Sequence, residues 1–200
     1  MDSQFEIKWI NFESKFDGGK QQKAFEALAY HLFCLEFGIK EGLFRYKNQA
    51  GIETDPAEVG EEIIGFQAKY YEPSTNLSSK RDDLIEAIEK TKRKNPSVTK
   101  ILFYINKEFA ESTEKEKKEP DYKIKIEQAG KDKGITIEWR VKSHLEIQLA
   151  KPENKYIAEY YFGGERSIWK FIENIEKHTT NLLDSINTEI FYGEEQIRFQ

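Results

Sequence analysis

Hydrophobic positions recur with helical spacing in one long segment near the start of the chain. Between residues 20 and 37 two apolar stripes run side by side, containing Phe25, Leu28, Leu32 and Leu35 in one and Ala29, Tyr30, Phe33 and Phe37 in the other. A surface helix of a globular protein needs only one such stripe. The pattern therefore predicts a central helix over residues 20–37, which Gly38 is placed to end.

The pattern then changes to short runs that are typical of strands. Three such runs follow in order, at residues 43–47, 51–59 and 62–71, with a turn at Gly60 and Glu61 between the last two. Helical spacing returns over residues 79–94, and the apolar run at 98–105 is short enough for a buried strand. The predicted order of elements is αβββαβ.

The second half of the chain predicts additions to this core. A shorter helix is expected at 121–131 after a charged loop at 111–119, and a strand at 134–141 is expected beside the preceding strand. A C-terminal helix at 167–186 and a hairpin at 188–199 follow. We predict an α/β fold with a mixed central sheet flanked by helices, one domain over residues 1–150, and an extension over 151–200 that links to a missing C-terminal region.

Composition narrows the class of protein. The chain has 200 residues, 38% hydrophobic and 14% aromatic, which is enough apolar surface to exclude general disorder. No stretch approaches the ~20 consecutive apolar residues that span a bilayer, and the first residues lack the order of a signal peptide. We expect a soluble cytoplasmic protein without a membrane partner.

Cysteine, histidine and net charge exclude further classes. Cys34 is the one cysteine, so no internal disulfide forms, and His31, His144 and His178 lack the paired spacing of structural zinc ligands. The formal net charge of -5 opposes binding of nucleic acid by the overall field of the protein. Any nucleic-acid site must therefore be local.

The residues with a chemical signature lie on two neighbouring predicted strands. Glu53 and Asp55 alternate on the first strand, and Gln67 and Lys69 alternate on the second, so each pair shares a face. A hairpin between the strands would bring both pairs together. Unpaired buried charges are strongly unfavourable, which favours a bound hard cation as their partner.

Magnesium or manganese suits these residue types. Mg²⁺ prefers oxygen ligands and keeps several waters, so one or two carboxylates with an amide oxygen can hold it against a phosphate. We predict Glu53, Asp55 and Gln67 as metal ligands, with either Glu53 or Asp55 as the principal one. Lys69 would orient the attacking water or stabilise charge on the phosphoryl oxygens. This set of residues indicates phosphodiester hydrolysis.

The same stretch resembles the PD-(D/E)xK nuclease superfamily. Gln67-Ala68-Lys69 matches the Gln-x-Lys form of its Mrr-like branch, and Gly51-Ile52-Glu53 stands where that branch usually has Gly-Ile-Asp. The resemblance covers roughly residues 20–105. It implies a restriction-endonuclease-like αβββαβ core and a catalytic set of Glu53, Gln67 and Lys69, to which Glu26 on the first helix adds the helical carboxylate.

A longer resemblance covers most of the chain. The segments GIETDP, IIGFQAKYY, ILFYINKEF and ITIEWRVKSHLEIQL are similar to the N-terminal nuclease domain of bacterial antiviral STAND NTPases of the Avs type. This implies an effector that cuts double-stranded DNA and forms a homo-oligomer through a larger full-length protein.

Two functions of different classes follow from the sequence. The leading hypothesis is a magnesium-dependent DNA endonuclease domain that is activated by oligomerisation in anti-phage defence. The alternative is a catalytically inactive nuclease-like fold that acts as a DNA-binding or assembly module. The presence of Glu53, Gln67 and Lys69 together favours the endonuclease, because an inactive descendant has no need of all three.

Overall fold

A four-stranded mixed sheet forms the centre of the protein. The computed structural model describes residues 7–39, 52, 55–110 and 119–163, and in these the strand order is β1-β2-β3-β4. The strands are β1 (Ala57–Val59), β2 (Glu62–Lys69), β3 (Lys100–Ile105) and β4 (Thr136–Arg140). The β1 strand runs antiparallel to β2, whereas β2, β3 and β4 are parallel. The predicted α/β class with a mixed sheet is confirmed.

Helices cover both faces of this sheet. They are α1 (Trp9–Lys15), α2 (Gln21–Phe37), α3 (Arg81–Lys94), α4 (Asp121–Asp132), α5 (Lys142–Leu149) and α6 (Lys155–Phe162). Side chains of α1, α2, α5 and α6 share one apolar cluster with one face of β2 and β3. Side chains of α3 and α4 pack on the opposite face. The helices predicted at 20–37, 79–94 and 121–131 correspond to α2, α3 and α4.

Helix α2 is the central helix of the first cluster. Its residues Phe25, Leu28, Ala29, Leu32 and Phe33 are buried, as the double stripe predicts. Leu35 is the exception, because its side chain is 48% exposed. The helix ends at Gly38, which adopts the left-handed conformation with a φ of 62° that favours glycine.

The β2 strand is buried on both faces, and alternation along it decides which side chains meet which helix. Ile64, Phe66 and Ala68 belong to the cluster around α2, and the aromatic ring of Phe66 stacks on that of Phe33. Residues 63, 65, 67 and 69 therefore face α3. In the parallel register with β3, Gln67 lies opposite Phe103 and Lys69 opposite Ile105.

Some predicted boundaries change. Of the described residues in the strand predicted at 51–59, Ala57–Val59 are paired, whereas Ile52 and Asp55 lie outside the ladder. The turn at Gly60 and Glu61 is confirmed, with Gly60 at a φ of 62°. Helix α3 is preceded by a 3-10 turn at Leu77–Lys80, in which the Asn76 side chain accepts a hydrogen bond from the Ser78 N–H.

Several predictions fall on other parts of the chain. The strand at 43–47, the helix at 167–186 and the hairpin at 188–199 lie outside the described residues. Residues 151–163 pack with the first domain, because Tyr161 and Phe162 of α6 join the cluster around α2. The boundary at 150 itself stays a prediction. No helix within the described ranges is both long and apolar enough to cross a membrane.

Candidate active site

Gln67 and Lys69 lie at the C-terminal end of β2. Lys69 is the last residue of the strand, and both side chains project toward the face covered by α3. The Gln67 side chain is buried, with 5% exposure, and Lys69 is partly buried. The structure thus places an amide and an ammonium group on one face, two residues apart, as the alternation predicts.

The segment before Glu53 packs directly on this strand. Ile52 is 2% exposed, and a Cβ atom added to Gly65 would lie 2.7 Å from the Ile52 Cγ2 atom. Two carbon atoms cannot approach this closely without displacement. Glycine at position 65 therefore makes room for Ile52 on the same strand that carries Gln67 and Lys69.

Glu26 reaches the end of β2 from the opposite face of the sheet. It lies on α2, its side chain is 5% exposed, and its Oε1 atom accepts a hydrogen bond of 2.8 Å from Gln22 Nε2. Gln22 also donates to the Ala68 carbonyl oxygen, at 3.1 Å. The Oε1 atom of Gln22 accepts a hydrogen bond of 2.9 Å from the Tyr70 N–H. These bonds fix the start of α2, and with it Glu26, to the last residues of β2.

The two carboxylates predicted on the preceding strand have different outcomes. Asp55 is exposed and lies two residues before β1, so the predicted strand alternation does not apply to it. Glu53 lies outside the described residues, and its place in the metal site stays a prediction. The hairpin ladder itself pairs residues 57–59 with 62–64, short of Gln67 and Lys69.

Lys69 adds a positive charge to the surface of α3. Among the residues that the structure describes, the Lys69 ammonium group has no hydrogen bond or ion pair. Its charge nevertheless reaches Glu86 of α3, whose pKa is lowered first by its hydrogen bond from Lys90 and also by Arg93 and Lys69. Lys69 is thus a cation at the sheet end without a fixed partner in this part of the chain.

Tyr70 follows Lys69 and has a raised pKa. Burial raises the pKa of Tyr70 to about 12, with further contributions from the carboxylates of Glu13 and Glu72. The Tyr70 hydroxyl is therefore protonated at neutral pH and does not serve as a general base there.

The side chains at this strand end have the donor chemistry of a hard-cation site. The amide oxygen of Gln67 is a ligand of the type that Mg²⁺ and Mn²⁺ accept, and Glu26 adds a carboxylate on the other face of the sheet. Within the described residues, no three histidine, cysteine, aspartate or glutamate side chains converge on one point as a metal-binding group. Glu53 lies outside the described residues, so this statement does not extend to it.

Gln22 is the residue of this site that the sequence analysis missed. Its signal was present, because Gln22 and Glu26 are separated by four residues on a predicted helix and such residues are neighbours on one helix face. No sequence pattern predicts the two hydrogen bonds between Gln22 and the backbone of Ala68 and Tyr70.

Comparisons with known proteins add no family assignment. No protein-family model matches the chain, and no curated protein matches it.

Proposed function

We propose that this chain is a metal-dependent endonuclease domain that hydrolyses phosphodiester bonds of double-stranded DNA. The observation that carries the proposal is the arrangement at the end of β2. Gln67 and Lys69 share one face of the strand, and the buried Glu26 is fixed to the same strand end by Gln22. These are the residues that the resemblance to the Mrr-like branch of PD-(D/E)xK nucleases implies.

Each side chain has a role that its chemistry permits. Gln67 would bind a divalent cation through its amide oxygen, together with Glu53 and Asp55, either of which is the principal carboxylate ligand. Glu26 would be the helical carboxylate of the catalytic set that the resemblance implies. A bound Mg²⁺ or Mn²⁺ supplies charge for the attacked phosphate and lowers the pKa of a bound water. The Lys69 ammonium group would stabilise negative charge that develops on the phosphoryl oxygens. Gln67 adds no charge, so the free domain should bind the metal weakly.

The wider setting of the domain belongs to the same proposal. The predicted αβββαβ order, of which the described residues contain α2, β1, β2, α3 and β3, and the mixed sheet are compatible with a restriction-endonuclease-like core. The net charge of -5 opposes DNA association by a single domain. Joining domains in a homo-oligomer would raise the effective concentration of the second site and bring active sites to both strands. This agrees with an Avs-like effector that acts in the cytoplasm when a larger protein assembles.

The proposal is tested by cleavage of supercoiled plasmid with Mg²⁺, Mn²⁺ or a chelator. The unmodified chain, alone and fused to a dimeric coiled coil, is expected to cut with either metal and to stop with chelator. The fusion should cut faster per domain. If the folded chain binds DNA and cuts with neither metal in either form, the inactive DNA-binding or assembly module is the correct function.

A matched pair of variants tests the site within that experiment. Glu26→Gln and Glu36→Gln make the same change on one helix, but Glu36 is an ion-pair partner of Arg140. We expect Glu26→Gln to lower the cleavage rate about 100-fold, and Glu36→Gln to leave the rate per folded molecule near that of the unmodified chain. Circular dichroism checks that both variants fold. Equal rates for the two variants would remove Glu26 from the site.

A further inference from the structure

One side chain of α2 bonds the backbone on either side of Lys69, at an edge of β2 to which no other described strand pairs. The pairing of β1 with β2 ends at Ala57 and Ile64, so β1 gives no ladder partner to residues 65–69. The Ala68 carbonyl oxygen and the Tyr70 N–H point to this edge, because Lys69 is paired on its other side with β3. Both groups are bonded by the amide of Gln22, at 3.1 Å and 2.9 Å.

The Gln22 amide therefore makes the two backbone hydrogen bonds that one residue of a paired strand would make. It satisfies the carbonyl before Lys69 and the N–H after it, and this restricts the backbone dihedrals of Lys69 from the outer side. The second hydrogen of the Gln22 Nε2 group goes to Glu26 Oε1, at 2.8 Å. One amide thus joins the backbone around the proposed catalytic lysine to Glu26, the helical carboxylate of the proposed site.

We infer that Gln22 is the positioning residue of the active site, which aligns Glu26 with Lys69 without contacting metal or phosphate. This inference rests on the proposed function. All three polar contacts need the neutral amide, because two are donated and one is accepted. A glutamate at position 22 would lack both donors and place a second carboxylate beside Glu26.

The neighbouring glutamine provides a matched control. Gln21 also lies in the first turn of α2, and its side chain makes no hydrogen bond within the described part of the chain. The test compares Gln22→Met with Gln21→Met, because methionine preserves the length of the side chain and removes the amide. A loss that is specific to position 22 then reports the three hydrogen bonds rather than helix propensity.

Two readouts do not depend on DNA cleavage. Hydrogen exchange of the Tyr70 amide should become at least ~10-fold faster in Gln22→Met and should not change in Gln21→Met, because this N–H donates to Gln22 Oε1 and Gln21 makes no hydrogen bond with the described residues. Binding of Mn²⁺, followed by electron paramagnetic resonance, should weaken about 10-fold in Gln22→Met, since supporting residues typically contribute 10–100-fold to metal affinity or activity.

Cleavage kinetics separate positioning from loss of fold. In Gln22→Met we expect the maximal rate to fall about 10–100-fold and the half-saturating Mg²⁺ concentration to rise, while half-saturation by DNA stays unchanged. Partial unfolding would lower the rate without moving the Mg²⁺ requirement. Gln22→Met with the same Mn²⁺ affinity and the same cleavage rate as Gln21→Met would overturn the positioning role alone. An unmodified chain that neither binds Mn²⁺ nor cuts DNA would overturn the proposed function and this role with it.

Discussion

Two regions of the central sheet hold their charges in opposite ways. On β4, Arg140 bonds the carboxylates of Glu36 and Glu138. Lys100 lies 2.8 Å from Glu138 and 2.7 Å from Glu62. We call these five residues the ion-pair row. At the end of β2, by contrast, Lys69 has no ion pair among the residues described.

Under the proposed function, this difference separates charge that stabilises the fold from charge that can act on a phosphate. In the ion-pair row each cation is held between two carboxylates, and the Arg140 side chain is only 12% exposed. Lys69 lies on the same strand face as the buried Gln67 amide and has no such carboxylate among the residues described. We therefore propose different roles for similar residue types in the two regions.

Alanine variants of two glycines should give the largest difference between the end of β2 and the rest of the sheet. A Cβ atom at Gly65 would meet Ile52, whereas one at Gly130 of α4 would lie 2.5 Å from Ile137 Cγ1 and 2.8 Å from the Ile135 carbonyl oxygen. We expect alanine at either position to lower the free energy of unfolding by about 1–3 kcal/mol, measured by urea denaturation. Only Gly65→Ala should also slow plasmid cleavage per folded molecule. If Gly130→Ala slows cleavage equally, the β4 side contributes to the site.

Removing the arginine of the ion-pair row should cost stability alone. Arg140→Met leaves Glu36 with its hydrogen bond from Tyr104 and leaves Glu138 with Lys100. Because Glu36 and Glu138 are partly exposed, the expected loss in the free energy of unfolding is about 1–2 kcal/mol. The cleavage rate below the melting temperature should not change. A loss of cleavage activity in fully folded Arg140→Met would contradict a purely structural role for the ion-pair row.

The smallest effect concerns acid stability. The hydrogen bond from Lys100, and then the charges of Lys100 and Arg140, lower the pKa of Glu138 below its ordinary 4.5. A carboxylate with a depressed pKa stabilises the fold above its unfolded pKa, and this contribution disappears as the pH falls through the folded value. The free energy of unfolding should therefore fall less steeply from about pH 5 to 3 in Glu138→Gln than in the unmodified chain. Equal pH dependence of the unfolding free energy in Glu138→Gln and the unmodified chain would show that the ion-pair row does not lower the pKa of Glu138.

Much of the fold could be predicted from hydrophobic periodicity. The double stripe of α2 and the apolar run of β3 have strong periods, and both elements lie where those periods place them. The short helices α1, α5 and α6 were missed, because each has only seven or eight residues and packs through aromatic or mixed faces. Trp9, Phe12 and Phe162 form ring contacts with each other that no period along the chain signals.

The candidate site was predictable only in part. Alternation placed Gln67 and Lys69 on one face, since strand residues two apart always share a face. The contribution of Gln22 depends on how α2 crosses the end of β2. Its backbone partners, Ala68 and Tyr70, lie 46 and 48 positions further along the chain. The described ladder begins after Pro56, whose ring nitrogen cannot donate to it, so Asp55 lies outside the hairpin pairing and its role in the site stays a prediction.

We propose that Lys69 acts on the phosphate, whereas Lys100, which is paired with Glu62 and Glu138, stabilises the fold. The most direct test measures unfolding free energy and plasmid cleavage for Lys69→Met and Lys100→Met, two identical changes on neighbouring strands. We predict that Lys69→Met cuts at least ~100-fold more slowly with an unfolding free energy within about 0.5 kcal/mol of the unmodified chain. Lys100→Met should be less stable and cut at the unmodified rate per folded molecule. Cleavage by Lys69→Met at the unmodified rate, or equal loss of cleavage in both folded variants, would contradict the account.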